Sequence, residues 1–260
     1  MNQTQTIIMI HGWGQTRMAF DLLAETLAGR FRVIAIDLAG HGAARGLPGP
    51  YSFTRYIGDL AAQAAVLKRE PFHLLGWSMG GVIAARYVLE RMAPKPRSLI
   101  LISAPARFVA PKEEAETGLR ASSVRRQMEF LERDHEKGLA GFIEMFFMTG
   151  ERIDPANAAM IREKLKSPGH FPPARDALLE TLAELAATDL TRHTSIPMAV
   201  DGLIIHGGLD KICTVGGQAL WDDIFTGMQR APMGDCGHAP HLTRPAETAA
   251  AITGFISELR

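Results

Sequence analysis

The chain has 260 residues, 47% of them hydrophobic and 22% charged, a balance that excludes disorder and is enough to bury a sizeable core in one globular domain. Lys plus Arg and Asp plus Glu both number 28, so no overall field favours nucleic acid or an anionic membrane as a partner, and any electrostatic docking has to be local. The two cysteines, Cys213 and Cys236, stand far apart without metal-ligand spacing, and reduced thiols are expected in place of a disulfide or a metal site.

The opening stretch MNQTQTIIMIHGWG has no basic leader, and His11 interrupts its apolar run after four residues. Neither a signal peptide nor a membrane span is expected, which makes the cytoplasm the default location. Runs rich in β-branched and other apolar residues at 7–10, 32–37, 72–76, 98–103, 202–206 and 228–233 predict strands. Most are apolar on both faces, as strands of a covered parallel sheet have to be. Helical patterns at 18–27, 54–68, 79–91, 218–224 and 246–259 lie between them. This alternation predicts a doubly wound α/β sheet whose ligands sit beyond the carboxyl ends of its strands.

From about residue 107 to residue 193 the alternation stops. That segment has no strand pattern but suggests helices at 123–137, 139–148, 155–165 and 175–187, punctuated by Pro168, Pro172 and Pro173. The expectation is a core of residues 1–106 and 194–260, with residues 107–193 inserted as an all-helical cap over the strand ends.

Gly76-Trp77-Ser78-Met79-Gly80 follows a predicted strand and opens a predicted helix. A serine in a turn is usually turn chemistry. Here the strand–turn–helix context is that of a nucleophile elbow, with glycines removing side chains that would collide. A serine hydroxyl needs a base, and the base needs a carboxylate to orient it. In the expected chain order, Asp210 follows the strand at 202–206 and His238 follows the last strand, both on the rim of Ser78. Two amides should face the developing oxyanion, those of Met79 and of Trp13 in the IMIHGWG segment. Trp13 also reads as a large apolar residue at the pocket mouth.

The rivals are weaker. His241 heads into the last helix, His206 reads as strand-end packing, and His73, His135, His170 and His193 lack a suitable loop partner. Asp201 precedes its strand, and Asp235 is too close in sequence to His238 to support its ring.

His11-Gly12-Trp13-Gly14, Gly76-Trp77-Ser78-Met79-Gly80-Gly81, Gly208-Leu209-Asp210 and Gly237-His238-Ala239-Pro240 together resemble the α/β-hydrolase superfamily. Within it they are most similar to the pimeloyl-acyl-carrier-protein methyl ester esterases of biotin synthesis. The resemblance runs over nearly the whole chain and implies a serine carboxylic-ester hydrolase that works without cofactor or metal. Few residues precede the first strand, so about six strands are expected, without the hairpin that usually begins such sheets. Asp37-Leu38-Ala39-Gly40-His41-Gly42-Ala43 resembles a loop motif that usually carries Pro at position 39 and Ser at 43, and Asp37 and His41 are taken as structural. His241 stands where an apolar residue is usual, making the pocket wall more polar.

For the substrate, Phe142, Ile143, Met145, Phe146, Phe147 and Met148 fall within seven positions, too many for a single helical stripe. They suit either a cap core or an acyl-chain wall, and Trp13, Trp77, Phe142, Ile143, Met145 and Phe146 are the candidate substrate contacts. The family docks an acidic acyl-carrier protein on basic cap residues. Here Arg125, Arg126, Arg133 and Lys137 fall along one predicted helix, with Arg152, Arg162 and Lys164 beyond it. Interspersed Glu129, Glu132 and Glu136 make an ordinary solvated face the simpler reading, and residues 111–192 hold 12 Lys and Arg against 15 Asp and Glu. Alternatives on the same scaffold are a broad carboxylesterase, a carbon–carbon bond hydrolase and the lyase of menaquinone synthesis. A noncatalytic binding protein is disfavoured by the complete triad.

Overall fold

In a computed structural model of the chain, residues 5–68, 70–151, 153, 161, 173–192 and 197–259 are described. Apart from Ile161, the predicted helix at 155–165 lies outside them, as do Arg152, Arg162, Lys164, Pro168, His170, Pro172 and His193.

Six strands form one parallel sheet: β1 (Thr6–Ile10), β2 (Arg32–Ile36), β3 (Phe72–Trp77), β4 (Ser98–Ile102), β5 (Met198–Gly207) and β6 (Phe225–Met233). Their spatial order is β2-β1-β3-β4-β5-β6, and each neighbouring pair is parallel. The central strands β1, β3 and β4 are buried at every position, whereas β2 exposes Arg32 and β6 exposes Thr226, Gly227, Gln229 and Arg230. The continuous apolar runs are thus those covered on both faces, and the polar residues mark the sheet's edges.

Helices α1 (Asp21–Leu27), α2 (Phe53–Ala65) and α3 (Met79–Leu89) connect the early strands. The C-terminal region supplies a short α7 (Pro240–Thr243) and a long α8 (Pro245–Glu258). Helix α1 packs with α8, and α2 packs with α3. Ser52 caps α2 by accepting a hydrogen bond from the Arg55 amide, satisfying one of the donors that a helix start leaves open. Between β4 and β5 run α4 (Ala121–Arg133), α5 (His135–Glu144) and α6 (Arg175–Ala187).

Three sequence expectations are corrected. The helix predicted at 123–137 breaks at Asp134, which leaves helical geometry (φ −153°, ψ 88°) so that its carboxylate can accept from the Lys137 amide and start α5. Lys137 therefore lies on a different helix from Arg125, Arg126 and Arg133. Asp201 does not precede its strand. Strand β5 starts at Met198, its pairing with β6 is irregular between Ala199 and Gly202, and Asp201 is exposed within it. The helix predicted at 218–224 is a 3-10 helix, Val215–Asp223.

The chain moves from β1 to β2 on one side and then returns to β3 on the other. The carboxyl ends of β1 and β3 therefore flank the point where strand order reverses, the crevice in which open α/β sheets place ligands.

Candidate active site

The turn after β3 is built by tight backbone contact. A methyl group on Gly76 would lie 2.2 Å from the Gly80 carbonyl oxygen, and one on Gly80 would lie 2.1 Å from that of Ile10. Only glycines let α3 start this close to the ends of β1 and β3. Between them Ser78 is held at φ 53°, ψ −118°, a conformation that L-residues with side chains rarely adopt and that surrounding structure has to enforce. The Ser78 amide donates to Ile102 of β4, and its carbonyl accepts from Gly81 and Val82 in the first turn of α3. The positive end of α3 thus adjoins the serine.

The segment after β1 passes directly over this turn, since a methyl group on Gly12 would lie 3.3 Å from Ser78 Cβ and 3.1 Å from the Trp77 ring. Trp13 is buried. Its indole N–H donates to the Leu178 carbonyl of α6 at 3.0 Å, and its ring meets Phe142 edge-on. Its side chain ties α5 and α6 to the loop after β1, while its backbone lies one residue from the contact with Ser78. Met79, also buried, opens α3. Among the described residues, no hydrogen bond to another protein group uses the amide of Trp13 or Met79, so both remain open to a ligand.

Asp210 and His238, from the loops after β5 and β6, come together. His238 Nδ1 lies 2.8 Å from Asp210 Oδ2, with the residues 1% and 5% exposed respectively. Asp210 Oδ1 accepts from the amides of Ile212 and Cys213, both at 2.9 Å. With one oxygen occupied by two backbone donors, the other is aimed at the ring. An ionised Asp210 requires the proton on Nδ1, which leaves Nε2 as a free base. His238 Nε2 is buried and, among the described residues, has no hydrogen-bond partner. The His238 loop is pinned from both sides: its amide donates to the Phe146 carbonyl of the cap at 3.0 Å, and its carbonyl accepts from the Trp77 indole at 2.9 Å.

The candidate substrate contacts separate. Phe142, Ile143 and Phe146 are buried, and the Phe146 ring lies 5.2 Å from Trp77 and 5.3 Å from His238, so the segment just past the end of α5 packs against the His238 ring. Trp77 is fully buried as a strut between Phe146, His238 and His241. Met145 differs from Phe142, Ile143 and Phe146: it caps the end of α5 and is 42% exposed.

The other histidines and carboxylates keep to structural surroundings. His73 bonds to Ser98 and Gln5, and Asp235 pairs with Arg244. Asp37 accepts from the amides of Arg17 and Ala43, closing its own loop. Burial holds the His11 pKa down to about 4 and that of His41 to about 3. His241 is fully buried against Trp77 and Phe20 with neither ring nitrogen partnered, and burial followed by the nearby His238 lowers its pKa to about 3.

Two neighbours of Asp210 had no sequence signal strong enough to single them out as part of the site. His206, at the end of β5, brings Nε2 to 3.9 Å from Asp210 Oδ2, and burial lowers its pKa. Cys213 puts its thiol beside Asp210, His238 and the Ser78 side chain. Burial pushes that thiol well above its ordinary value, so it is a neutral neighbour and not a nucleophile.

The family model described as "Alpha/beta hydrolase family" matches residues 7–251. The chain is 28% identical over 253 residues to the pimeloyl-[acyl-carrier protein] methyl ester esterase of Xanthomonas axonopodis pv. citri (strain 306), covering 97% of this chain and 95% of that protein. It is also 28% identical to the protein of the same name from Neisseria meningitidis serogroup B (strain ATCC BAA-335 / MC58), covering 96% and 92%. Among solved structures it is similar to an esterase (EaEST) from Exiguobacterium antarcticum, with a TM-score of 0.85 and 24% identity over 99% of this chain and 94% of the other, a likeness of fold.

Proposed function

The chain belongs to the alpha/beta hydrolase family, and from that premise we propose that it is a serine carboxylic-ester hydrolase that removes the methyl ester from a pimeloyl chain carried on acyl-carrier protein. The observation that carries the ester-hydrolase reading is the buried 2.8 Å bond between His238 and Asp210, on the same rim as a serine held in a strained elbow. The substrate reading is supported by the names of relatives aligned over nearly the whole chain.

Ser78 Oγ attacks the ester carbonyl while His238 Nε2 takes its proton, and Asp210 stabilises the resulting imidazolium. The amides of Trp13 and Met79 receive the oxyanion. Collapse of the tetrahedral intermediate breaks the bond to the methoxy oxygen, to which His238 returns the proton, releasing methanol and leaving an acyl-Ser78 ester. Water attacks that ester with the same base, freeing the carboxylate and regenerating Ser78. Phe142, Ile143 and Phe146 wall the acyl chain, and the water they exclude strengthens each electrostatic contact inside.

Carrier docking is assigned to α4, where Arg125, Arg126 and Arg133 are exposed and Arg126 and Arg133 line one groove with Phe130, itself 44% exposed. With Glu129 in the same groove, Arg126 and Arg133 still leave its lining net positive around Phe130, which complements an acidic carrier and would act mainly on the rate of encounter. One observation favours the second reading, a general small-molecule carboxylesterase: Lys137 is engaged by Asp134 at 2.8 Å, which removes one of the expected docking charges.

The test compares methyl pimeloyl carrier protein with a chain-length series of p-nitrophenyl esters. Ser78→Ala should abolish both activities. The double variant Arg126→Glu/Arg133→Glu should slow only the carrier-bound ester, most strongly at low salt. Hydrolysis by Ser78→Ala at a near wild-type rate would reject the serine mechanism, and indifference of the carrier-bound ester to charge reversal would leave the small-molecule reading.

A further inference from the structure

The thiol of Cys213 has no part in the chemistry above, yet it stands inside the site. One ligand atom from each of Asp210, Cys213 and His238 lies within 4.8 Å of the other two, and this is the only such trio of metal-ligating side chains among the described residues. All three residues are at least nine-tenths buried, and among the described residues His238 Nε2 has no hydrogen-bond partner. The Ser78 hydroxyl also faces the thiol. A thiolate, an imidazole nitrogen and a carboxylate oxygen are a donor set that selects soft or borderline cations over magnesium and calcium. Around a tetrahedral zinc ion such donors stand roughly 3.4–3.6 Å from one another. A trio already within 4.8 Å therefore reaches that spacing by small side-chain rotations.

We propose that Asp210, Cys213 and His238 form a site for one thiophilic divalent cation of the zinc class, and that its occupation switches the enzyme off. Binding exchanges the thiol proton for a metal–sulfur bond and releases that proton to solvent. Ser78 Oγ or a water takes the fourth position. Both His238 and Asp210 are then engaged by the ion, so Ser78 has no base. The metal site stands on the geometry alone; the inhibition rests on the ester-hydrolase reading. The physical origin of the device is the β5 loop. The bend that lets the amides of Ile212 and Cys213 hold Asp210 Oδ1 also carries the Cys213 side chain against the base.

The test uses the whole protein and two metals. Titration with Co²⁺ should produce one equivalent of a thiolate-to-cobalt charge-transfer band in the near ultraviolet, bleached by Zn²⁺. The band should persist in Cys236→Ser and vanish in Cys213→Ser and Cys213→Val, two replacements of opposite polarity checked for folding by circular dichroism. Free Zn²⁺ should inhibit p-nitrophenyl ester hydrolysis reversibly, a chelator restoring the rate. Each Cys213 variant, compared with its own metal-free rate, should need at least about 10- to 100-fold more Zn²⁺. A wild-type protein without the band, a band that survives in both folded Cys213 variants, or equal zinc sensitivity with and without the thiol would overturn the proposal. A one-equivalent band in a protein that hydrolyses no ester would uphold the metal site and remove the ester-hydrolase reading instead.

Discussion

Replacing Asp210 by asparagine isolates the orienting role proposed for the carboxylate. Asp210 Oδ1 accepts two amides at 2.9 Å and Oδ2 faces His238 Nδ1 at 2.8 Å, so the native group uses only acceptors. Asparagine has one acceptor oxygen and one amide nitrogen. If the oxygen keeps the two backbone donors, the NH₂ faces Nδ1, which has to become the acceptor; the ring proton then sits on Nε2, the atom proposed to take the Ser78 proton. The flipped arrangement sets NH₂ against two buried N–H groups, each costing about 1–3 kcal/mol when left unpaired. The first arrangement wins by about 2–6 kcal/mol on that sum, and the histidine is trapped in the wrong tautomer. The expected loss in kcat is ~10⁴-fold, or about 5.4 kcal/mol of transition-state stabilisation. KM and the thermal midpoint should change little, because volume and the two amide bonds are retained. Initial rates on a p-nitrophenyl ester measure both constants. A kcat within about tenfold of wild type would refute the tautomer argument.

Three further outcomes are expected. His11, His41 and His241 are neutral in the folded protein, with pKa values near 4, 3 and 3, so below pH 6.5 the unfolded chain binds the extra protons and stability falls as pH falls. At pH 5 each contributes a loss of about 2 kcal/mol; urea midpoints should drop between pH 7 and pH 5, and His241→Leu should show a shallower slope, an identical slope contradicting the assignment. Gly80→Ala, favourable by about 1 kcal/mol in an ordinary helix, should here prevent soluble folding, because the new methyl would meet the Ile10 carbonyl oxygen at 2.1 Å; a stable, active variant would disprove the packing argument. Phe146→Ala should shift the preferred acyl length, at roughly 1–3 kcal/mol per methylene, and an unchanged length profile in the folded variant would place the acyl chain elsewhere.

The sequence by itself determined the sheet and the order of its elements, because burial on both faces writes itself as a continuous apolar run and burial on one face as a periodic pattern. Ser78, Asp210 and His238 were legible for a related reason: each lies in a loop just past a strand, and parallel strands deliver all such loops to one rim. Tertiary structure alone decided what meets across that rim. The break at Asp134 depends on a carboxylate capping the next helix, so it moved Lys137 off the face that carries Arg133. Met145 and Phe146 are adjacent and equally apolar, yet one is 42% and the other 1% exposed, because α5 ends between Glu144 and Met145 and the Phe146 ring packs on Trp77 and His238. Cys213 and His206 carry no motif; they matter because the bend after β5 folds both against Asp210. The packing of Phe146 on Trp77 and His238, and of Cys213 beside His238, joins residues distant in the chain, and no local pattern of hydrophobicity or turn residues encodes it.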